Sequence, residues 1–210
     1  MKSRIISCHD PESVKLASTS INAGECVVVP TETIYGLTCN ALNDEAVRRL
    51  YETKGRDLSK PSSVFVANVA DIPGIAEIGS PMADEIIRRF LPGPLTVVLN
   101  SKLKDVAGVV GTDGKIGIRI SSHSFIQALC QEARTPLIAT SANISGASDC
   151  RTDREVLAAF EGVVAIIVLE TMAMTERATT VVDLSGRQPI LLREGTIPFS
   201  EVLNFAEGRS

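Results

Sequence analysis

Short apolar stretches that favour strands alternate along the chain with longer stretches that favour helices. About eight strands are predicted, at residues 26–30, 62–68, 95–100, 115–121, 136–141, 164–169, 179–184 and 189–192. Five helices are predicted between them, at residues 11–23, 44–53, 81–91, 124–133 and 153–160. This alternation predicts an α/β fold, built on a large mixed β-sheet with flanking helices.

Proline, glycine and polar caps support the helix boundaries. Pro11 falls at a favourable first-turn position, and Gly24 follows the end of the first helix. Asn43 or Asp44 is expected to cap the second helix. The third helix is expected to stop at Pro92-Gly-Pro, because proline cannot continue a helix.

The composition is typical of a globular protein, with 44% hydrophobic and 22% charged residues in a chain of 210. No internal repeat or linker interrupts the pattern, so residues 1–210 are expected to form one domain, and the stretch after Gly195 is too short for a second. The N-terminus lacks the apolar segment of a signal peptide, and the apolar run 163–169 is too short to span a bilayer. We therefore expect a cytoplasmic protein that does not enter a membrane.

Charge and cysteine usage exclude some function classes. A formal charge of −4 argues against binding nucleic acid through bulk electrostatics, although a local basic cleft remains compatible with it. The five cysteines include no C-x-x-C pair, and His9 and His123 have no second ligand type at metal spacing in the sequence. No metal site made of cysteine or histidine is expected, and the thiols are expected to be reduced.

Basic residues occur at unusual places. Lys54 and Arg56 follow the second helix, whereas Arg119 and Arg193 lie in strands. A helix end favours cations in any case, and Asp183 could neutralise one of the strand arginines. A charge within a strand must nevertheless reach a partner or water. Taken together, these residues favour one convergent site for anions, for which arginine is suited by its planar fork.

A polar segment, Thr140-SANISG-Ala147, follows one apolar strand. Ligands of α/β sheets commonly bind beyond the carboxyl ends of strands, and small hydroxyl, amide and backbone donors suit phosphate and ribose. A simple capped turn would explain the same residues equally well. No G-x-S-x-G elbow, Walker A loop or Cys–His pair in a catalytic context is present. The predicted site therefore acts by electrostatic positioning and not by covalent catalysis.

Seven motifs occur in the order found in the YrdC family. They are Pro30-TETIYGL, Lys54-Gly-Arg56 followed by Pro61, Pro92-GPLTVVL, Ile118-Arg119, Ser141-Ala-Asn143-Ile-Ser-Gly, Thr180-VVDL and Leu192-Arg193-Glu-Gly195. Over residues 21–195 the chain resembles the short, single-domain form of that family. The resemblance implies a YrdC-like twisted mixed sheet with a concave, positively charged cleft.

The resemblance also implies an activity, that of an L-threonylcarbamoyladenylate synthase. L-threonine and bicarbonate would form a carbamate, whose oxygen attacks the α-phosphorus of ATP and releases pyrophosphate. Mg²⁺ would accompany the ATP. A carbamate is already an anion, so the protein has to position charges and needs no nucleophile of its own. A separate complex would transfer the threonylcarbamoyl group to tRNA, and the cleft is compatible with binding tRNA or double-stranded RNA.

Site residues are assigned by the same resemblance. Catalysis is assigned to Lys54, Arg56, Ser141 and Asn143. Contacts with L-threonine are assigned to Thr33, Tyr35, Arg119, Ser141 and Thr179. Contacts with ATP are assigned to Arg56, Lys60, Asn143, Arg151 and Arg193, and Glu32 is expected to play a supporting role.

The chain departs from the family pattern at five positions: Ala178 and Thr179 replace a usual Pro-Ser, Ser121 replaces a proline, and Lys60 and Phe65 replace other polar residues. Two other functions remain open. One is a carbamoyl-adenylate-forming domain like that of hydrogenase maturation factors, against which the lack of any C-x-x-C pair counts. The other is a non-catalytic module that binds tRNA or ribosomal RNA.

Overall fold

The structure is a computed structural model that describes residues 2–104, 106–170 and 178–208. Its strands are β1 (Arg4–Ser7), β2 (Val27–Val29), β3 (Gly36–Thr38), β4 (Ser63–Phe65), β5 (Ala76–Glu77), β6 (Leu95–Ser101), β7 (Lys115–Arg119), β8 (Leu137–Ser141), β9 (Ile166–Leu169), β10 (Thr180–Asp183) and β11 (Ile190–Arg193). Its α-helices are α1 (Ser13–Asn22), α2 (Asp44–Lys54), α3 (Ile72–Ile75), α4 (Pro81–Phe90), α5 (Ser124–Ala133), α6 (Asp153–Phe160) and α7 (Phe199–Ala206), and a 3₁₀ turn covers Val69–Asp71.

All the strands join one mixed sheet, in the order β1-β9-β2-β3-β8-β4-β7-β6-β10-β11, with β5 paired to β6. Four neighbouring pairs are parallel, namely β1–β9, β2–β9, β4–β7 and β6–β10, and the other pairs are antiparallel. The predicted α/β fold with a large mixed sheet is therefore confirmed. None of the helices within the described ranges has the length and apolar character needed to cross a bilayer.

Every predicted strand and helix is present, with ends that agree to within three residues. The predicted count of eight strands is nevertheless too low, because β1, β3 and β5 are short and carry little sequence signal. Helices α3 and α7 were also not predicted. Pro11 lies in the turn before α1 and not in its first turn, whereas Asn43 caps α2 as expected by accepting hydrogen bonds from the amides of Glu45 and Ala46.

The two faces of the sheet pack against two different hydrophobic clusters. Side chains of a strand point alternately to opposite faces, so Val28 belongs to one cluster while Val27 and Val29 belong to the other. The larger cluster contains buried residues of α2, α4, α6 and α7. The smaller one contains residues of α1 and α5, and none of its described members comes from β6, β7, β10 or β11. The second face is therefore open along one half of the sheet.

A buried tyrosine holds the segment that follows α2. The hydroxyl of Tyr51 lies 2.6 Å from the carbonyl oxygen of Gly108 and 3.0 Å from that of Lys60. The Ser62 amide donates to the same Gly108 carbonyl at 2.8 Å. Gly108 has a left-handed φ of +75°, and a Cβ there would lie 2.9 Å from the Tyr51 ring. Only glycine satisfies both the backbone conformation and the close approach.

We predict that Gly108→Ala lowers the free energy of unfolding by about 2–4 kcal/mol, through left-handed strain and overpacking against Tyr51. Two matched variants separate these causes. Gly114→Ala carries a similar φ of +74° with open space around its Cβ, and Gly186→Ala has open space without a positive φ. Urea denaturation should show the largest loss of unfolding free energy for Gly108→Ala, a smaller loss for Gly114→Ala and the smallest for Gly186→Ala. Equal losses for Gly108→Ala and Gly114→Ala would show that packing against Tyr51 is unimportant.

Candidate active site

A cavity of about 430 Å³ lies on the face of the sheet that α1 and α5 leave open. Alternate residues of neighbouring strands line it: Ser63 and Phe65 of β4, Lys115, Gly117 and Arg119 of β7, Thr96 and Val98 of β6, and Ala139 and Ser141 of β8. We expected ligands beyond the carboxyl ends of strands, and Ser141 does end β8. The cavity, however, extends across the face of the sheet, because small side chains such as Gly117 and Ser63 leave room there.

Arg119 is a buried cation in the lining, with 8% of its surface exposed. Its Nη2 donates to Glu32 Oε1 at 2.8 Å and to Thr33 Oγ1 at 2.9 Å. Its guanidinium carbon lies 5.2 Å from the centre of the Phe65 ring, within cation–π range. Its Nε has no hydrogen-bond partner among the described residues, although burial of such a donor is costly. Arg119 is therefore a buried cation at the cavity wall whose hydrogen-bonding capacity is only partly used by the described residues.

Two of the residues that the resemblance marks as departures help to build this arrangement. Phe65 supplies the aromatic face against Arg119, and the Ser121 hydroxyl donates to Glu32 Oε2. Glu32 is thus held from both sides, by Arg119 and by Ser121. The sequence suggested that Asp183 could neutralise one of the arginines. In the structure Asp183 instead pairs with Lys115 at 2.7 Å.

Lys54, the last residue of α2, is 1% exposed and holds the turn after β8. Its Nζ donates to the carbonyl oxygens of Ser141 and Asn143 and, at 2.9 Å, to Asn143 Oδ1. All three ammonium protons therefore have acceptors. Asn143 Oδ1 also accepts from Ser141 Oγ at 2.7 Å. The two motifs Lys54-Gly-Arg56 and Ser141-Ala-Asn143 thus meet at one ammonium group.

Burial, and after it the positive charge of Arg56, lower the pKa of Lys54 to about 8. Asp149 acts in the opposite direction. Lys54, Arg56, Lys60, Ser141 and Asn143 line a second cavity of about 410 Å³, which shares Arg56 and Ser141 with the first. The two cavities are therefore neighbours, and Arg56 and Ser141 lie at their boundary.

The backbone on both sides of Arg56 orients its side chain. Gly55 ends α2 with a left-handed φ of 58°, so the chain turns sharply before Arg56. The Arg56 side chain donates to the carbonyl oxygens of Lys60 and Pro61 at 3.1 and 3.2 Å. Its guanidinium also lies 5.9 Å from the Tyr51 ring centre. Lys60 itself is exposed at the edge of the second cavity.

Thr179 and Arg193 lie together on the opposite side of the first cavity. Arg193 Nη2 donates to the Thr179 carbonyl at 3.0 Å and lies 3.2 Å from the Thr179 hydroxyl. That hydroxyl also lies 3.0 Å from Thr96 Oγ1. Partial removal from water, together with the charge of Arg119, lowers the pKa of Arg193. The two arginines therefore interact electrostatically, as residues that serve one anion site should.

Tyr35 and Arg151 occupy positions that the sequence did not indicate. Tyr35 lines the first cavity, but its hydroxyl donates to Asp153 and accepts from the Glu170 amide at 2.8 Å. Burial and the Asp153 hydrogen bond raise the pKa of Tyr35 above its usual range. Arg151 is exposed just before α6 and lines neither cavity within the described part of the chain. Its amide donates to Glu155 Oε2 at 2.8 Å.

Lys115, Thr96, Asp113 and Asp149 line the first cavity but were not singled out from the sequence. Lys115 could have been found, because it lies two positions before Gly117 and four before Arg119 on the same face of β7. The described lining carries four cationic side chains, Arg56, Lys115, Arg119 and Arg193, against the two carboxylates Asp113 and Asp149. Arg119 and Lys115 are paired with Glu32 and Asp183, so among the described residues Arg56 and Arg193, whose hydrogen bonds go to uncharged groups, are the cations most available to an anionic ligand.

Comparisons with known proteins point to one family. The Sua5/YciO/YrdC family model, described as "Telomere recombination", matches residues 19–195. A protein of Pyrococcus abyssi named "Threonylcarbamoyl-AMP synthase" is 32% identical over 189 residues, which are 90% of this chain and 56% of that protein. A Vibrio vulnificus protein of the same name is 30% identical over 84% of this chain and 95% of its own length.

A solved structure supports the same family. The crystal structure of P. abyssi Sua5 complexed with L-threonine matches with a TM-score of 0.86 and 30% identity, over 100% of this chain and 62% of that one. This chain thus spans little more than half the length of the P. abyssi protein. On the family model, the sequence identity and the shared fold, the chain belongs to the Sua5/YciO/YrdC family.

Proposed function

We propose that this chain is an L-threonylcarbamoyladenylate synthase, which condenses L-threonine, bicarbonate and ATP into threonylcarbamoyl-AMP and pyrophosphate. The observation that supports it most is the meeting of two cation-lined cavities at Arg56 and Ser141. Two anionic substrates that react with each other need two adjoining binding sites with positive charge at their boundary. The names of the relatives, and the L-threonine in the P. abyssi structure, agree with this assignment.

Threonine fits the part of the first cavity around Arg119. The guanidinium can donate to the carboxylate, while Glu32 and Thr33 hold Nη2 and fix the plane of the group. Bonds of this charge-assisted kind are among the stronger hydrogen bonds in proteins. Thr33 and Thr179 offer hydroxyls to the rest of the amino acid. The Tyr35 hydroxyl is engaged in holding the loop, so the Tyr35 side chain offers no polar group to the substrate.

ATP fits the boundary and the second cavity. Arg56 and Arg193 can bind phosphate oxygens, and Lys60 stands exposed at the rim. Asn143 uses its Nδ2 to donate to the Ala147 carbonyl at 2.7 Å and its Oδ1 to accept from Lys54. We therefore assign Lys54 and Asn143 the role of shaping the turn whose Ser141 faces the reacting groups. Arg151 would reach the nucleotide only through movement of its segment, so it is the weakest member of the predicted set.

The reaction follows from this placement. Threonine's amine adds to bicarbonate with loss of water, and the resulting carbamate oxygen attacks the α-phosphorus of ATP. The bond to pyrophosphate breaks as the new P–O bond forms. The protein brings two anions together against their repulsion and stabilises the charge that develops on the phosphoryl oxygens. Arg56 lies at the cavity boundary where this charge would grow.

Magnesium is compatible with the residues present. Mg²⁺ usually binds proteins through one or two carboxylates and reaches a nucleotide through its phosphates. Asp149 supplies such a carboxylate in the lining, close enough to Lys54 and Arg193 to influence the pKa of both. The ion would neutralise phosphate charge when bound with ATP.

The wider setting is also part of the proposal. The product would pass to a complex that transfers the threonylcarbamoyl group to tRNA, in the cytoplasm where ATP and tRNA are found. Direct binding of tRNA or double-stranded RNA would use the same cationic face. The cavity lining itself suits a small anionic molecule.

Pyrophosphate release from ATP tests the function. We expect release that requires both L-threonine and bicarbonate and that fails with L-serine in place of threonine. Release that requires carbamoyl phosphate instead would assign the chain to the carbamoyl-adenylate-forming enzymes. Absence of release under all conditions, together with salt-dependent RNA binding, would favour the RNA-binding module.

We predict that Arg56→Ala lowers the rate of pyrophosphate release by about 10²–10³-fold, because one charge-stabilising donor is lost. Lys54→Ala should be similarly slow and should also be less stable by about 1–3 kcal/mol, since it leaves buried acceptors of the turn unpaired. Arg48→Ala is the matched control, being an exposed cation of α2. An Arg56→Ala enzyme with near-normal turnover would contradict the assignment of the anion site.

We predict a different effect for Arg119→Lys, namely a KM for L-threonine raised by about 10–100-fold with the KM for ATP nearly unchanged. Lysine keeps the charge but lacks the planar fork and the Nε donor. Steady-state kinetics with each substrate varied in turn measures the split. Equal increases in both KM values would place Arg119 outside the amino-acid site.

The pH dependence should follow Lys54. Its pKa is lowered to about 8 from an ordinary 10.5, so the charged form that holds the turn is lost as pH rises through about 8. We expect kcat/KM to fall there. Between about pH 8 and pH 10.5 the free energy of unfolding should instead rise with pH, because the unfolded chain then binds a proton at Lys54 that the folded chain does not. Arginine at position 54 stays charged, so kcat/KM of the Lys54→Arg variant should not fall above about pH 8. If kcat/KM still falls in that variant, another group causes the loss.

A further inference from the structure

Both histidines of the chain and one of its cysteines converge on a single carboxylate, outside the cavities. Cys8 Sγ lies 3.0 Å from Glu170 Oε2, and His9 Nε2 lies 3.1 Å from Glu170 Oε1. His123 Nε2 lies 3.3 Å from Glu170 Oε2. The Glu170 side chain is 8% exposed, whereas that of His9 is 65% exposed. The cluster is therefore anchored in the protein and open to solvent on one side.

The parallel pairing of β1 with β9 creates this arrangement. Ser7 pairs with Leu169, so the next residues along, Cys8 and Glu170, emerge side by side from the same end of the sheet. The Cys8 amide donates to the Leu169 carbonyl at 2.9 Å, which fixes the two backbones. The sequence could not indicate this, because more than 160 residues separate the two positions.

We propose that Cys8, His9 and Glu170 form a binding site for Zn²⁺ or a similar thiolate-seeking divalent ion. One ligand atom from each of the three residues lies within 4.8 Å of the others. Zinc takes sulfur, nitrogen and oxygen ligands at roughly 2.0–2.3 Å in tetrahedral geometry, which separates neighbouring ligands by roughly 3.5 Å. Small side-chain adjustments therefore suffice, and water would complete the four ligands.

His123 acts on the site from outside. It caps α5, and its Nδ1 accepts a hydrogen bond from the Phe125 amide at 3.2 Å. Because an amide can only donate, Nδ1 carries no proton, and the proton of this imidazole is on Nε2. His123 Nε2 thus donates to Glu170 Oε2 and is no ligand, and the Glu170 oxygen beside His9 Nε2 is Oε1. Outer partners of this kind orient a ligand and tune its affinity.

The site is connected to the amino-acid cavity through one residue. Tyr35 accepts a hydrogen bond from the Glu170 amide at 2.8 Å, and Tyr35 belongs to the loop that lines the cavity. A bound ion would join the ends of β1 and β9 and hold Glu170 in place beneath this loop. This proposal departs from the sequence-based expectation of no metal site from cysteine or histidine, because these residues meet only in the folded chain.

Metal titration of the untagged, chelator-treated chain tests the proposal. Co²⁺ serves as the probe because a cobalt–thiolate bond gives a near-ultraviolet charge-transfer band, and Zn²⁺ should then displace it. We expect one equivalent to bind, with that band present, and Zn²⁺ to raise Tm. Cys8→Ser should lose the band and the rise in Tm while its metal-free Tm stays unchanged. His9→Gln should weaken binding strongly.

Two further variants complete the test. His123→Asn keeps a good N-cap for α5 and should weaken Zn²⁺ affinity by about 10–100-fold, as loss of an outer partner does. Cys130→Ala, which removes a thiol of α5 far along the chain, should bind like the unaltered protein. The proposal is overturned if no Zn²⁺ binds stoichiometrically, if the band survives in Cys8→Ser, or if Cys130→Ala loses it equally.

Discussion

A β-sheet has two faces to cover, and the helices of this chain cover them unequally. One face packs against α2, α4, α6 and α7, while the described helices on the other are α1 and α5. Apolar side chains left open to water would be costly. The uncovered half of the sheet carries small, polar and charged residues, among them Gly117, Thr96 and Arg119, beside apolar ones such as Val98. The cavity exists because of this difference in coverage.

In that cavity and in the one beside it, hydrogen bonds hold the charged side chains in place. Lys54 is fully engaged with the turn after β8, so its charge shapes the site and contributes at close range to its potential. Arg119 is held by Glu32 and Thr33 through Nη2, and its Nε is buried without a hydrogen-bond partner among the described residues. Such preorganisation costs stability, as the lowered pKa of Lys54 indicates. In return, an incoming anion meets donors that are already oriented.

The departures from the family pattern acquire a physical meaning in the structure. Ser121 supports Glu32, and Phe65 packs against the Arg119 guanidinium. Thr179 keeps a hydroxyl between Thr96 and Arg193. These substitutions thus adjust the immediate surroundings of the two arginines. None of them lies at Lys54 or Asn143, which hold the turn after β8.

The sequence by itself determined the class of fold and most of its elements, because periodicity, capping residues and prolines are local signals. It also identified Arg119 and Arg193, since a charge inside a strand is unusual, but not Lys115 at the start of β7. Short strands such as β3 and β5 were not predicted, because two or three residues are too few to show a recognisable alternation. The tertiary structure alone decided that Tyr35 turns its hydroxyl to Asp153, that Arg151 stays outside the cavities, and that Cys8, His9 and Glu170 meet. These outcomes depend on which strands become neighbours in the sheet, and that pairing joins positions far apart in the chain that no local pattern can connect.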